Sequence, residues 1–149
     1  MKPSYKWVAV TLVVGVISFF LTRVIWPDAT GGPQPASGLI PFFIILAIGE
    51  SLAFGLGVAF LIFGFPLLRA AGQPGWLTWA AFLSIAWYLV NWWPHDNLHR
   101  VNGMNFAGLL GIEYAFHLTM EIAGALLALF FFRTVLSRRS TNAAGAQLS

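Results

Sequence analysis

The sequence predicts an all-α integral membrane protein, an antiparallel four-helix bundle with both termini cytoplasmic. Three observations predict it. Only 9% of the 149 residues are charged, against roughly 25% in a soluble domain. Four apolar stretches each reach the ~20 residues that a membrane helix needs. The lysines and arginines gather unevenly at the ends of those stretches.

Composition also excludes whole classes. The apolar share is 58%, and a small soluble domain needs charge to cover its large relative surface. A soluble globular domain, a disordered chain and a nucleic-acid binder are all ruled out. The chain has no cysteine, which removes disulfides, thiolate metal sites, iron–sulfur clusters and cysteine nucleophiles.

The first helix is expected over about 7–26. It starts after Lys2 and Lys6, but its apolar run exceeds the roughly 7–15 residues of a signal peptide and no small-x-small site follows closely. It therefore reads as a retained helix. The run Pro27-Asp28-Ala29-Thr30-Gly31-Gly32-Pro33-Gln34-Pro35 is a loop, because proline and glycine cannot sustain a helix there. The second helix is expected over 39–68, followed by a turn through Gly72, Pro74 and Gly75. The third covers 76–93, and Pro94 to Gly103 forms a polar connection. The fourth covers about 105–132. These spans make one transmembrane domain, residues 1–132. Residues 133–149 are too poor in apolar surface to fold and read as a disordered cytoplasmic tail.

Orientation follows from basic residues. One side would carry Lys2, Lys6, Arg69, Arg133, Arg138 and Arg139, the other Arg23 and Arg100. Six against two puts both termini in the cytoplasm of a plasma (inner) membrane. Tryptophans 7, 26, 76, 92 and 93 stand at span ends as interfacial anchors. Small residues must let helices approach in lipid. Ala53, Gly57 and Gly64 on the second helix, and Ala107, Gly111, Gly124 and Ala128 on the fourth, are the expected packing positions.

The polar residues carry the functional signal. Glu50, Glu113 and Glu121 lie inside apolar segments that hold no lysine or arginine. A carboxylate in hydrocarbon costs several kcal/mol unless it is neutralised or paired. Protonation, histidine pairing or a bound cation are the available remedies. Glu113, His117 and Glu121 are spaced i, i+4, i+8 and share one expected helical stripe. Ser84, Tyr88 and Asn91 form a stripe on the third helix that His95 would continue. Counting back from Arg69 and Arg133 puts Glu50 and Glu113 near the outer hydrocarbon edge. His117 then lies ~6 Å deeper and Glu121 ~12 Å deeper.

The densest polar segment is Asn91-Trp92-Trp93-Pro94-His95-Asp96-Asn97-Leu98-His99-Arg100. If Pro94 opens a helical turn, His95 and His99 stack at i, i+4, the spacing of two imidazole ligands. The zinc-protease pattern H-E-x-x-H is met except that Asp96 replaces glutamate, which shortens the base by a methylene. The simpler expectation is a divalent metal site, with zinc, iron, manganese or copper as the cofactor. His95, His99 and His117 are its ligands and Glu113 the fourth. Glu50, Asp96 and Glu121 are the expected acid–base or imidazole-orienting groups. The i, i+4 spacing argues against a di-iron site, which uses Glu-x-x-His. Haem would need two facing histidines at matched depth, and of the nearest pair, His99 and His117, the first lies in the 94–103 connection.

Trp87, Tyr88, Trp92 and Trp93 can line an apolar pocket beside the site for a small lipid-phase ligand. In general pattern this resembles membrane sterol isomerases. No ordered motif of that family occurs, so none of its residues or activity is carried over. Two further readings stay open. The chain can be a proton- or ion-coupled transport module working as a homo-oligomer. It can also be an accessory subunit of a larger membrane complex. Membrane lipid is a partner in every case.

Overall fold

The structure is a computed structural model that describes residues 3–30 and 34–146, with side chains described for residues 5–30 and 34–137. Lys2, Gly31 to Pro33 and residues 147–149 therefore lie outside the described residues, as do the side chains of Arg138 and Arg139. Among the described residues the protein is helical without a strand.

Helix α1 runs Pro3–Ile25 and α2 runs Ile40–Phe63 after a 3-10 turn at Ser37–Leu39. The second apolar segment does not stay one helix to Leu68. A short helix α3, Phe65–Arg69, follows a break at Gly64. Pro66 is the physical cause, since it has no N–H to offer the carbonyl of Ile62.

Helix α4, Gly75–Val90, ends short of the expected Trp93, and α5 spans Trp92–Asn102. Pro94 explains this break in the same way, because its ring displaces the bond to the Val90 carbonyl. Within the first turn of α5 the missing N–H costs nothing. The expected polar connection after Pro94 is thus a helix. Gly103 closes α5 with φ +56, a left-handed conformation that favours glycine. Asn105 then caps α6, Phe106–Glu113, by accepting from the Gly108 N–H at 3.3 Å.

A π-helical turn, Tyr114–Leu118, joins α6 to α7, Thr119–Ala146. The wide turn leaves carbonyls needing donors. The Thr119 hydroxyl donates to Ala115 O at 2.6 Å. Beyond the turn, Tyr88 on α4 donates to Met120 O of α7 at 2.8 Å. Helix α7 continues past Phe132 to Ala146, so residues 133–146 are helical where a disordered tail was expected. Alanine, leucine and arginine propagate a helix readily, and no proline interrupts them.

Among the described residues, three helical segments are long and apolar enough to cross a membrane: Tyr5–Ile25, Ser37–Phe63 and Phe106–Ser137. Helix α4 has 16 residues, about 24 Å of rise against the ~30 Å hydrocarbon core. Large apolar side chains face outward, among them Phe20, Val24, Phe42 and Phe106. In water such a surface would aggregate, whereas in lipid it is solvated.

Glycines set the closest helix approach. Gly55 lies against the Thr11 carbonyl, and a Cβ on Gly15 would stand 3.0 Å from Ser51 O. Gly57 faces Val90 and Leu89 of α4, and a Cβ on Gly124 would stand 2.9 Å from the Tyr88 hydroxyl. Gly111, an expected packing position, has open space where a Cβ would go. Toward the start of α1, Trp7 meets Phe60 and Phe63 with ring centroids at 6.2 and 5.9 Å. Phe60, Phe82 and Ala86 form the buried cluster there. Toward the other end, Trp93 packs on Phe54 and Trp26 at 4.8 and 5.9 Å.

Candidate metal centre

Helix α5 presents two faces, and each has a distinct partner. Trp93, Asn97 and Arg100 recur at i, i+4, i+7 and point to α1 and the loop after it. The Trp93 indole donates to Thr22 Oγ1 at 3.0 Å, and Thr22 donates to Ser18 O at 2.7 Å. Asn97 donates to Trp93 O at 2.6 Å and accepts from Arg100 Nη1 at 2.9 Å. Arg100 Nε reaches Asp28 Oδ1 at 3.0 Å, and Arg23 pairs with the same carboxylate. Burial lowers the Arg100 pKa, while the nearby Glu50 charge opposes that shift. This polar chain, buried from Ser18 to Asn97 and open at Asp28 and Arg23, fixes the rotation of α5.

That rotation turns His95 and His99 to the opposite face, toward α6 and the π-turn. Their Nε2 atoms are 3.0 Å apart. His99 Nε2 lies 3.2 Å from Glu113 Oε1, and Glu113 Oε2 lies 2.7 Å from His117 Nδ1. Asp96 Oδ1 stands 3.0 Å from His95 Nδ1. With Asp96 accepting there, the Nε2 lone pair of His95 is directed into the cluster. Phe116 covers the His95 ring at 5.2 Å. His95 is buried, whereas His117 and Glu113 have side chains 49% and 42% exposed, so the cluster opens on one side.

Donor atoms of His95, Glu113 and His117 all lie within 4.8 Å of one another, close enough to hold a metal ion. His99 touches His95 and Glu113 but stands outside that group of three. Its 3.0 and 3.2 Å separations are near the ~3.3 Å edge of a tetrahedron with zinc bonds of about 2.0–2.1 Å.

The other expected site residues divide. Glu50 on α2 lies with Asp96 in the wall of an open cavity of about 430 Å³, separated from the histidines by Asp96. Glu121 does not join. It is exposed, and among the described residues no hydrogen bond or ion pair reaches it. Eight residues separate it from Glu113, roughly 12 Å of helical rise, which leaves it further along α7 than the α5 end where His95 and His99 lie.

Sequence reasoning missed the Ser18–Thr22–Trp93–Asn97–Arg100–Asp28 chain and the π-turn. The first has a signal, since Trp93, Asn97 and Arg100 share a stripe once α5 is taken as helix. The second has none in the sequence. Comparison with protein-family models, curated proteins and solved structures finds no match.

Proposed function

We propose that this chain is an integral membrane protein that binds a divalent transition metal through His95, Glu113 and His117, with His99 completing the set. One observation supports this most: four ligand-type side chains from two separate segments converge, with no basic side chain among the contacts. Neutral imidazole suits zinc, iron, manganese or copper, and one carboxylate is compatible with each. Asp96 is the orienting carboxylate on His95, and Glu50 lies beyond it as an acid–base group. The open side at His117 leaves room for a water or substrate, the arrangement that separates catalytic from closed structural sites.

The membrane frame completes the reading. The three long helices and α4 form an antiparallel bundle with both termini cytoplasmic, and α5 lies at the outer face. The α5–α6 end then meets the extracytoplasmic interface, where the basic-residue bias puts it. The chemistry served is redox or hydrolytic, on a molecule that reaches the site from the lipid phase.

A second reading rests on the same contacts. Asp96, His95, His99, Glu113 and His117 form an unbroken series of polar contacts, which without metal would be a proton-exchanging or purely structural network. Metal analysis of the purified full chain separates the two. Near-stoichiometric metal in the wild type, lost in His117→Ala, supports the first. Wild-type protein that stays metal-free after growth and dialysis with zinc refutes it.

A further inference from the structure

Glu121 stands near the middle of the apolar stretch Phe106–Ser137. Its side chain is exposed, and among the described residues no hydrogen bond or ion pair reaches it. A carboxyl group open to hydrocarbon at that depth is strongly unfavourable, so intramembrane acids face a polar partner. Helix α4, which packs against α7, does not supply one. It carries no charged residue from Gly75 to Val90, and it meets the other side of α7. There Trp87 donates to Thr119 Oγ1 at 3.0 Å, Tyr88 donates to Met120 O at 2.8 Å, and Ala123 is buried. Glu121 is two residues from Ala123, about 200° around the helix, and points away from α4.

The outward side of α7 has its own regularity. Leu118, Glu121, Ala125, Ala128 and Phe132 are all exposed, and they follow one another at steps of three, four, three and four. That is the heptad period, at which two helices pack along one continuous line with a left-handed crossing. Ala125 and Ala128, on the two turns after Glu121, are small, so a second helix can come close where the carboxyl group needs a partner. Contact with lipid alone requires neither the period nor the small residues.

A second copy of this chain meets the requirement by symmetry. Every copy enters the membrane in the same direction, so a two-fold axis along the membrane normal sets two α7 helices parallel at equal depth. Each Glu121 then faces the other, and two carboxyl groups that share a proton hydrogen-bond each other. We infer that α7 is the seam of a homodimer, in which these five residues pack on their own counterparts and the Glu121 pair is the polar lock at its centre. The inference rests on the membrane setting and needs no metal at the histidines.

The chain has no cysteine, so one introduced thiol reports on one contact. Full chains carrying Ala125→Cys, or Val16→Cys on the exposed side of α1, are placed in lipid vesicles, oxidised with copper phenanthroline and run on a denaturing gel. Ala125→Cys should give disulfide-linked dimers at a yield that holds through about tenfold dilution with lipid. Val16→Cys should give only collisional dimers, which fall with dilution. Added to Ala125→Cys, Glu121→Leu should cut the dilution-resistant yield about threefold or more, and Ala128→Phe should abolish it. Glu121→Gln still hydrogen-bonds across the seam and should retain it. Equal behaviour of Ala125→Cys and Val16→Cys overturns the inference and leaves the seam to lipid or to another protein's helix. A yield unchanged in Glu121→Leu or in Ala128→Phe overturns it as well. Repeating the experiment with chelator and in His117→Ala separates the seam from the metal site. The yield should persist in both, and its loss would mean that metal, not Glu121, joins the chains.

Discussion

Replacing Asp96 with asparagine tests whether the His95 ring is oriented for a metal. The side chain keeps its size and can still accept from Nδ1, but it loses its charge. The contact it weakens is 3.0 Å long, and the Asp96 side chain is 38% exposed. Removing such an orienting group costs metal affinity by about 10–100-fold. The partial exposure and the retained acceptor place Asp96→Asn near tenfold, equivalent to about 1.4 kcal/mol. Asp96→Ala, which also loses the acceptor, should approach the upper figure. The assay is zinc competition against a chromogenic chelator, with the full chain in detergent and helicity checked by circular dichroism. If Asp96→Asn and Asp96→Ala bind zinc as the wild type does, while His95→Ala does not, His95 is a ligand that Asp96 does not orient.

Removing a ligand should act more sharply than removing its support. His117→Ala and Glu113→Gln should each reduce bound zinc below one per chain, and His99→Ala should retain more than either, because His99 stands outside the group of three; elemental analysis reads all three. Metal ligands must shed protons, so acidification should release zinc, and the pH midpoint should move in His117→Ala; a metal content that does not change with pH counts against imidazole ligation. Trp93→Phe deletes the buried indole bond to Thr22, which should cost about 1 kcal/mol in detergent unfolding and also weaken zinc binding as α5 loosens. Gly55→Val forces a side chain against the Thr11 carbonyl and should cost about 1–3 kcal/mol in the same assay with little effect on zinc affinity. Glu121→Gln should leave zinc binding as it is, since among the described residues no hydrogen bond or ion pair links Glu121 to the cluster.

Much of the architecture follows from counting along the chain. The breaks at Pro27, Gly72 and Gly103, the apolar runs and the outward-facing phenylalanines are local or compositional, and such properties survive in a linear reading. The grouping of His95, Glu113 and His117 was legible for a related reason. In a chain with few polar side chains, three histidines and a glutamate in two neighbouring segments have few other solutions. What misled was register. Pro66 and Pro94 split two segments that hydropathy alone reads as continuous, because hydropathy is blind to a missing N–H. Periodicity put Glu113, His117 and Glu121 on one stripe, but a shared stripe does not make a contact, and Glu121 is exposed one turn beyond His117.

Other features depended on long-range contacts. Gly15 and Gly55 determine how closely α1 meets α2, yet each is one small residue among many until its neighbour is known. Trp93 reads as an interfacial anchor, and it is instead the buried link between α5 and α1. The sequence by itself determined that this is a membrane-type helical protein with a concentrated set of histidines and carboxylates, because composition and local periodicity carry that information. Only the tertiary structure decided which of those side chains meet. That choice depends on the rotation of α5, set by its bonds to Thr22 and Asp28, and on a π-turn that carries His117 and whose Ala115 carbonyl is satisfied by Thr119.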